Sequence, residues 1–440
     1  MGDYNMKARL LAAAMGAATV LGGGNAFAAD LGGNCCADLE ERIAELEATT
    51  ARKGNRKVSL TITGWVSSQL YWFDDGVESN VYVVDNNNDL SSNVKFTGSA
   101  QISPGWKAGY SLWIFTNGPS SLLADENGLS GALSNGANAG KSWGLNVENS
   151  YWFIQSDTLG KLSVGKQSLA ADNAALGTDF SGTLFPANGV TFDGSGLKLS
   201  LNGARVGSNV ADVGDTWLAN GFNCNFNGGG IATDCAGGRL NGVRYDTPTF
   251  AGFSLGASWG EDDYWDIALR YSGEFSGFKL AFATAYSEST DATINNDGSY
   301  FQVGGMVKHL ASGLWVHGTY GEGSFDAPAG QPDTDTGWYV KAGWTSKFSH
   351  LGNTHFYGEY GQHDDMYGRG LQIDAGAGLE NVVGSDATRW GVGVVQEVDA
   401  AAMSLWAKYR HHELDQTLAA TGDVSYDDVD MFLAGAVIFY

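Results

Sequence analysis

The 440-residue sequence is poor in proline, in basic side chains and in long apolar runs, and each shortage excludes a class of protein. With only 6 prolines, few positions interrupt a backbone hydrogen-bond ladder. Lys and Arg number 25 against 49 Asp and Glu, and the net charge of -24 argues against nucleic-acid binding, which needs a basic face. Beyond the N-terminus no apolar run reaches about 18 residues, so a bundle of membrane helices is excluded.

Motifs for catalysis, metals and phosphates are also missing. The 7 histidines form no HExxH pattern and no zinc spacing, and the adjacent His411 and His412 would point to opposite faces of a strand. The segment Gly136–Ser142 resembles a phosphate-binding loop, but it is one residue short and enters a strand instead of a helix. No nucleophile elbow occurs. We therefore predict that the chain is not an enzyme and binds no metal or cofactor.

Glycine and aromatic residues are abundant, with 63 glycines and 12% Phe, Trp and Tyr. The mean hydropathy is close to neutral, at -0.16. A transmembrane β-barrel has this composition, because lipid-facing apolar residues alternate with water-facing polar residues along each strand. An acidic soluble protein would explain the charge equally well, so the charge alone does not decide the class.

The N-terminus has the pattern of a secretory signal. Lys7 and Arg9 precede a short apolar stretch over 10–21, and Ala26-Phe27-Ala28 has the small residues of a cleavage site. We predict a signal peptide at 1–28, followed by an N-terminal periplasmic segment at 29–57. The remaining residues, 58–440, form the predicted barrel.

Four cysteines in an exported chain can oxidise. Cys224 and Cys235 lie close together in a Gly/Asn-rich stretch, so we predict a loop disulfide between them. Cys35 and Cys36 are adjacent, which strains an intramolecular bond and favours an interchain disulfide or a pair of free thiols.

An amphipathic helix is predicted over 37–50, where Leu39, Ile43 and Leu46 recur at the spacing of a coiled-coil seam. A helix this short is not stable alone. We expect it to pair with copies from neighbouring subunits as a periplasmic oligomerisation helix. Packing against its own barrel is the alternative.

From Val58 onward the apolar period becomes two, as in strands with one apolar face and one polar face. Aromatic residues close several apolar faces, and short links alternate with long polar loops, as in bacterial outer-membrane barrels. A single-chain barrel with both termini on one side needs an even number of strands. We predict sixteen antiparallel strands, at 58–73, 92–103, 106–116, 142–156, 159–167, 239–247, 252–260, 264–272, 277–287, 299–309, 314–321, 337–346, 354–361, 388–398, 403–411 and 427–440.

One further alternating stretch, Leu197–Asn202, would make the strand count odd. Parity therefore places it within a long insertion at 168–238. The chain ends in an alternating strand that closes on the aromatic Tyr440, as outer-membrane barrels commonly do to signal their assembly machinery.

Several segments of the chain resemble the general porins of Gram-negative bacteria. Tyr151–Ile154 followed by Leu159–Gln167 is similar to the segment that enters the constriction loop of those porins, with Lys166 where they often have arginine. Asn241–Phe253 is similar to the strand pair that follows the loop. The leader, the helix at 39–48 and Gly260–Trp265 resemble alphaproteobacterial porins in particular.

The resemblance implies an outer-membrane homotrimer of sixteen-stranded barrels, in which residues 168–238 fold inward and narrow the lumen. It also implies that acids on this constriction loop face bases on the wall. We expect the loop acids to be Asp172, Asp179 and Asp193. The candidate wall bases, which follow the polar faces of their strands or the porin motif, are Lys95, Lys107, Lys166, Arg244, Arg270 and Lys279.

The predicted function is passive diffusion of small hydrophilic solutes, with a weak preference for cations because fixed negative charge concentrates them. The predicted partners are lipid and lipopolysaccharide of the outer membrane. Three alternatives remain open: a substrate-selective channel with a lumenal aromatic ladder or a dense basic cluster, a structural barrel tethered through its N-terminal helix, and a soluble secreted β-protein such as an adhesin.

Overall fold

A computed structural model describes residues 57–86, 90–122, 124–125, 144–187, 193–208, 214–224, 235, 239–261, 263–290 and 297–440. The predicted signal peptide, Cys35, Cys36 and the helix with Leu39, Ile43 and Leu46 lie outside these residues. Among the described helices, none is long and apolar enough to cross a membrane.

The described elements are nearly all strands. The short helices are α1 (Trp217–Gly221) and two 3-10 turns at Leu176–Thr178 and Asp399–Ala401. The strands, in chain order, are β1 (Thr61–Asp74), β2 (Ser79–Val84), β3 (Asn93–Ser103), β4 (Trp106–Asn117), β5 (Gly144–Ser156), β6 (Gly160–Ser168), β7 (Ser200–Leu201), β8 (Ala204–Arg205), β9 (Gly207–Ser208), β10 (Arg239–Asp246), β11 (Phe253–Gly260), β12 (Trp265–Phe275), β13 (Phe278–Ser289), β14 (Gly298–His309), β15 (Leu314–Phe325), β16 (Thr334–Ser349), β17 (Gly352–Asp364), β18 (Gln372–Asp374), β19 (Leu379–Val398), β20 (Met403–Leu418), β21 (Gly422–Ser425) and β22 (Val429–Phe439).

Sixteen of these strands form a closed antiparallel barrel, which confirms the predicted fold class and strand count. Each pairs with the next long strand along the chain, and β22 returns to pair with β1 from Trp65↔Phe439 to Asp74↔Asp430. The other strands extend hairpins or belong to loops. Of the stretch Leu197–Asn202, only β7 is a strand, and it pairs with β8 outside the barrel wall.

Some strands extend further towards the long loops than the alternation of apolar residues predicted. Strand β19 begins at Leu379 and β20 ends at Leu418, where Val382 still pairs with Leu418. The outer faces of these extensions carry polar residues such as Glu413 and Asp415, whereas Leu414 and Leu418 are buried on the inner face. The outward apolar period that reveals a lipid-facing strand therefore stops before the hydrogen-bonded pairing does.

The alternation of buried and exposed side chains along each strand identifies the inner and outer faces of the barrel wall. On β20, Lys408 and Arg410 are buried on the inner face, whereas Leu405 is exposed on the outer face. Aromatic pairs lie on the outer face near strand ends, such as Trp265 with Tyr286 at 5.6 Å between ring centroids. This is the arrangement expected where the barrel meets the bilayer interface.

The C-terminal residue completes the seam between the first and last strands. Tyr440 exchanges two backbone hydrogen bonds of 3.1 Å with Gly64, and its hydroxyl donates to the carbonyl oxygen of Asn93 at 2.9 Å. A Cβ at Gly64 would collide with that same carbonyl oxygen and lie 2.7 Å from the Tyr440 hydroxyl. The seam therefore needs glycine at position 64.

We predict that Tyr440→Phe lowers the free energy of unfolding by about 1 kcal/mol, because it removes only the hydrogen bond to Asn93. Tyr440→Ala should cost more, since the ring that packs at the seam is also lost. Urea unfolding in lipid vesicles, followed by tryptophan fluorescence, measures both. Equal stability of the two variants would contradict this account of the seam.

Candidate functional site

Where the insertion between β6 and β10 leaves the barrel wall, side chains of the wall form hydrogen bonds with its backbone. The carboxylate of Asp266 accepts from the backbone N–H groups of Ala170 and Ala171, at 3.2 and 2.8 Å. Arg244 donates to the carbonyl oxygens of Ser168 and Leu169, both at 2.9 Å. These contacts turn the chain into the lumen at the first residues of the insertion.

Arg270 holds the same turn by donating to the carbonyl oxygen of Ala170. The predicted wall bases Arg244 and Arg270 therefore lie on the inner wall, but they bind backbone of the insertion root. Arg244 is also paired with Asp246 at 2.8 Å. Their role in the structure is to anchor the insertion.

The insertion then runs across the inner faces of β14 and β15. Gln302 accepts from the N–H of Ala175 at 2.9 Å and donates to the carbonyl oxygen of Ala171 at 3.0 Å. A Cβ at Gly304 would lie 2.5 Å from the carbonyl oxygen of Ala175, so glycine at this position lets the insertion touch the wall. Further along, the Thr178 hydroxyl contacts the ring of His317 at 3.1 Å.

Asp179 joins the insertion to β16 through a buried ion pair. Its carboxylate lies 2.6 Å from the Lys341 ammonium, and both side chains are fully buried. Lys341 also donates to the Thr183 hydroxyl at 3.0 Å and to the carbonyl oxygen of Ala187 at 2.5 Å. Burial raises the pKa of Asp179, but the Lys341 charge outweighs it and lowers that pKa to about 2.

Asp193 makes a second buried attachment, to β20. Its carboxylate lies 2.5 Å from both the Lys408 ammonium and the Arg410 guanidinium. Burial raises the pKa of Asp193, but the two cations outweigh it and hold that pKa below its usual range. Arg410 continues the network to Glu359 at 2.6 Å, and Glu359 accepts from the Tyr339 hydroxyl at 2.6 Å.

The third predicted loop acid, Asp172, lies near the insertion root. Its carboxylate is 4.0 Å from Arg239, which also approaches Glu148 at 3.7 Å. The structure therefore distributes the three loop acids along different parts of the wall: Asp172 near β10, Asp179 on β16 and Asp193 on β20.

The remaining predicted bases have aromatic, half-buried or outward-facing surroundings. Lys95 and Lys279 face inward, with their ammonium groups each 4.7 Å from the centre of an aromatic ring, Trp113 and Phe180 respectively. Lys107 is half-buried on the inner face of β4. Lys166 does not line the lumen, because strand alternation places it on the outer face, where its ammonium donates to the carbonyl oxygen of Val147 at 2.7 Å.

The direct partners of Asp179 and Asp193 were not among the predicted wall bases; they are Lys341, Lys408 and Arg410. Each occupies a polar position in an alternating strand, which the sequence reveals. The signal that was missing is the height of each base along the barrel and its distance from the insertion, because both depend on strand register and shear.

The far part of the insertion is fastened near the long-loop rim. Cys224 and Cys235 form the predicted disulfide, which is confirmed. Arg205 pairs with Asp75 at 2.7 Å, and the Asp427 carboxylate accepts from the N–H of Gly203 at 2.8 Å. The insertion is thus attached at its root, at mid-lumen and at the rim.

A family model described as Gram-negative porin matches residues 12–417. The chain belongs to this family. A porin of this family is a channel protein of the outer membrane, and the closed barrel with its inward insertion is the matching architecture. No curated protein matches the chain.

The solved structures to which this porin is similar have low sequence identity to it. OmpT, an outer-membrane protein of Vibrio cholerae, is 14% identical, with 88% of this chain and 99% of that chain covered and a TM-score of 0.49. OmpF of Salmonella typhi is 12% identical, with 87% and 98% covered and a TM-score of 0.48. The outer-membrane channel DcaP of Acinetobacter baumannii is 10% identical, with 88% and 99% covered and a TM-score of 0.47.

We predict that Asp193→Asn releases the insertion from β20, because it leaves Lys408 and Arg410 buried without their shared carboxylate. Removing one member of a buried ion pair costs about 3–5 kcal/mol. Single-channel recording should show a larger and noisier current. The double variant Asp193→Asn/Lys408→Met should recover part of the loss, and a wild-type current trace from the single variant would contradict the attachment.

The pKa of Asp179 gives a pH prediction. Because its folded pKa, about 2, is lower than its unfolded value near 4, the pair stabilises the insertion fully above pH 4 and loses that contribution as pH falls towards 2. We expect a constant current level from pH 7 to about pH 4.5 and an unsteady, larger one below about pH 3. Asp179→Asn should behave at neutral pH as the wild type does in acid.

Proposed function

We propose that this porin lets small hydrophilic solutes and ions diffuse passively through a lumen narrowed by residues 168–238. The observation that carries the proposal is the pair of buried ion pairs, Asp179 with Lys341 and Asp193 with Lys408 and Arg410. They hold the insertion inside the barrel instead of above it. A fixed constriction in a stiff, closed wall limits solutes by size without any moving part.

A weak cation preference belongs to the same proposal. Asp179 and Asp193 are matched by wall bases, so the preference would depend on negative charge in another part of the channel. At the long-loop rim Glu288, Asp297, Asp326 and Asp333 line one cavity. Such a rim concentrates cations at the mouth, over a range of about 8–10 Å at physiological salt.

Assembly and export complete the proposal. We expect cleavage of the signal peptide after residue 28, a homotrimer aided by the N-terminal helix, and recognition of the strand ending in Tyr440 by the outer-membrane assembly machinery. Lipopolysaccharide would contact the long-loop rim. No catalytic role is proposed, because the lumenal acids and bases serve as structural partners for one another. A tethering role for the N-terminal helix is compatible with the channel.

A planar-bilayer recording of the detergent-purified protein in a salt gradient tests the channel. Stable insertions that close in three equal steps, with a cation-selective reversal potential that shrinks as salt is raised, are expected. The fourfold variant Glu288→Gln/Asp297→Asn/Asp326→Asn/Asp333→Asn should lose most of the cation preference.

The matched control neutralises two exposed acids at the opposite end of the barrel, Asp157 in the turn after β5 and Glu274 near the end of β12. It should keep the wild-type reversal potential if the rim acids set the preference. Well-folded protein that never conducts would refute the diffusion channel.

A further inference from the structure

One side of the barrel wall is less covered by the insertion than the rest. In the part of the chain that the structure describes, the insertion's contacts at mid-lumen fall on β1, β12 to β17, β20 and β22. The inner faces of β4, β5 and β6 carry half-buried side chains in the same region, including Lys107, Tyr151 and Lys161. Solutes that pass the insertion would meet this wall.

Strand register builds an ordered surface on this wall. Lys107 on β4 is in register with Gln155 on β5, and Gln155 is in register with Lys161 on β6. The two lysines therefore lie in one row across the three strands, near the short-turn end. The next inner positions along β5 towards the loops are Phe153 and Tyr151. Further along, Lys95 on β3 is in register with Trp113 on β4. We call this surface the basic–aromatic track; it comprises Lys95, Lys107, Trp113, Tyr151, Phe153 and Lys161.

Ammonium groups and aromatic rings are in direct contact along the track. The Lys161 ammonium lies 4.8 Å from the ring centre of Phe153 and 5.3 Å from that of Tyr151. Lys95 lies 4.7 Å from Trp113. The same arrangement joins the wall to the insertion, where the ammonium of Lys279 on β13 lies 4.7 Å from the ring centre of Phe180. An ammonium group beside a ring face is attracted by the negative charge of that face, so the ring helps to position the lysine.

The local charge of the track is opposite to that of the whole chain. Among the described inner positions of β3 to β6, the one acid is Glu148, at a bulge 3.7 Å from Arg239. The same positions carry three lysines. On the adjoining strand β10, Asp246 is in register with Lys161 and is paired with Arg244 at 2.8 Å. The wall is therefore basic where the insertion leaves it most open, although the protein carries a net charge of -24.

We infer that the basic–aromatic track is a low-affinity binding surface for aromatic carboxylates that pass through the lumen. A carboxylate would pair with Lys107 or Lys161, and the planar ring would pack against Phe153 or Tyr151. Lysines alone would favour small inorganic anions, and rings alone would favour neutral sugars; the combination selects a solute that has both groups. The inference rests on the proposed channel and names a solute class for it.

A cation-preferring mouth is compatible with this surface. The rim acids act through a field that salt screens within about 10 Å. The track acts by contact, several strand residues below the rim.

The test uses the full mature protein in planar bilayers, with benzoate as probe. Benzyl alcohol has the ring without the charge, and cyclohexanecarboxylate has the charge without an aromatic ring. Benzoate should reduce or interrupt the current at concentrations about fivefold lower than either control solute. Lys107→Met/Lys161→Met should remove the advantage over benzyl alcohol, and Phe153→Leu the advantage over cyclohexanecarboxylate.

Lys347→Met is the matched control, because Lys347 is exposed near the short-turn end of β16 and outside the track. Its response to benzoate should equal that of the wild type. Equal block by all three probes, or a benzoate response that survives Lys107→Met/Lys161→Met, would overturn the inference and leave the channel intact.

A protein that folds but carries no current would refute the proposed channel instead. Equilibrium binding of radiolabelled benzoate to the folded protein in detergent, with the same variants, then decides the inference. Loss of binding in Lys107→Met/Lys161→Met supports the track, and unchanged binding refutes it.

Discussion

Closure of one hydrogen-bonded ladder is the constraint on which the rest of this structure depends. In lipid no water satisfies an open strand edge, so β22 must pair with β1 along its length. Closure fixes an even strand number, puts both barrel termini on one side and makes every long strand present one face to lipid and one to the lumen. The inner face is then free to carry charges that the outer face cannot.

Those inner charges determine where the insertion lies. Burying an ion pair costs desolvation energy that its attraction only partly returns, so the pairs are weak evidence for added stability. Breaking one is costly, however, and an insertion with Asp179 and Asp193 in other positions would leave Lys341, Lys408 and Arg410 buried alone. The pairs therefore select one position for the insertion.

Charge in this porin is organised by location. Acids gather at the long-loop rim, balanced ion pairs hold the insertion, and lysines lie beside aromatic rings on the less covered wall. A net charge of -24 averages over all three regions. It gives the sign of the field at the mouth and says little about the surface a solute touches inside.

The sequence by itself determined the fold, because a period of two over many strands, a parity rule and a C-terminal aromatic strand are all local or countable. It also determined the Cys224–Cys235 disulfide and the inner faces that carry Lys95, Lys107, Arg244, Arg270 and Lys279. Lys166 was predicted to line the lumen from a motif, but strand alternation places it on the outer face. Only the tertiary structure decided that Arg244 and Arg270 bind the insertion root while Lys341, Lys408 and Arg410 meet its acids. The physical reason is that such pairings join residues far apart in sequence, and strand register, shear and the path of the insertion set their distances.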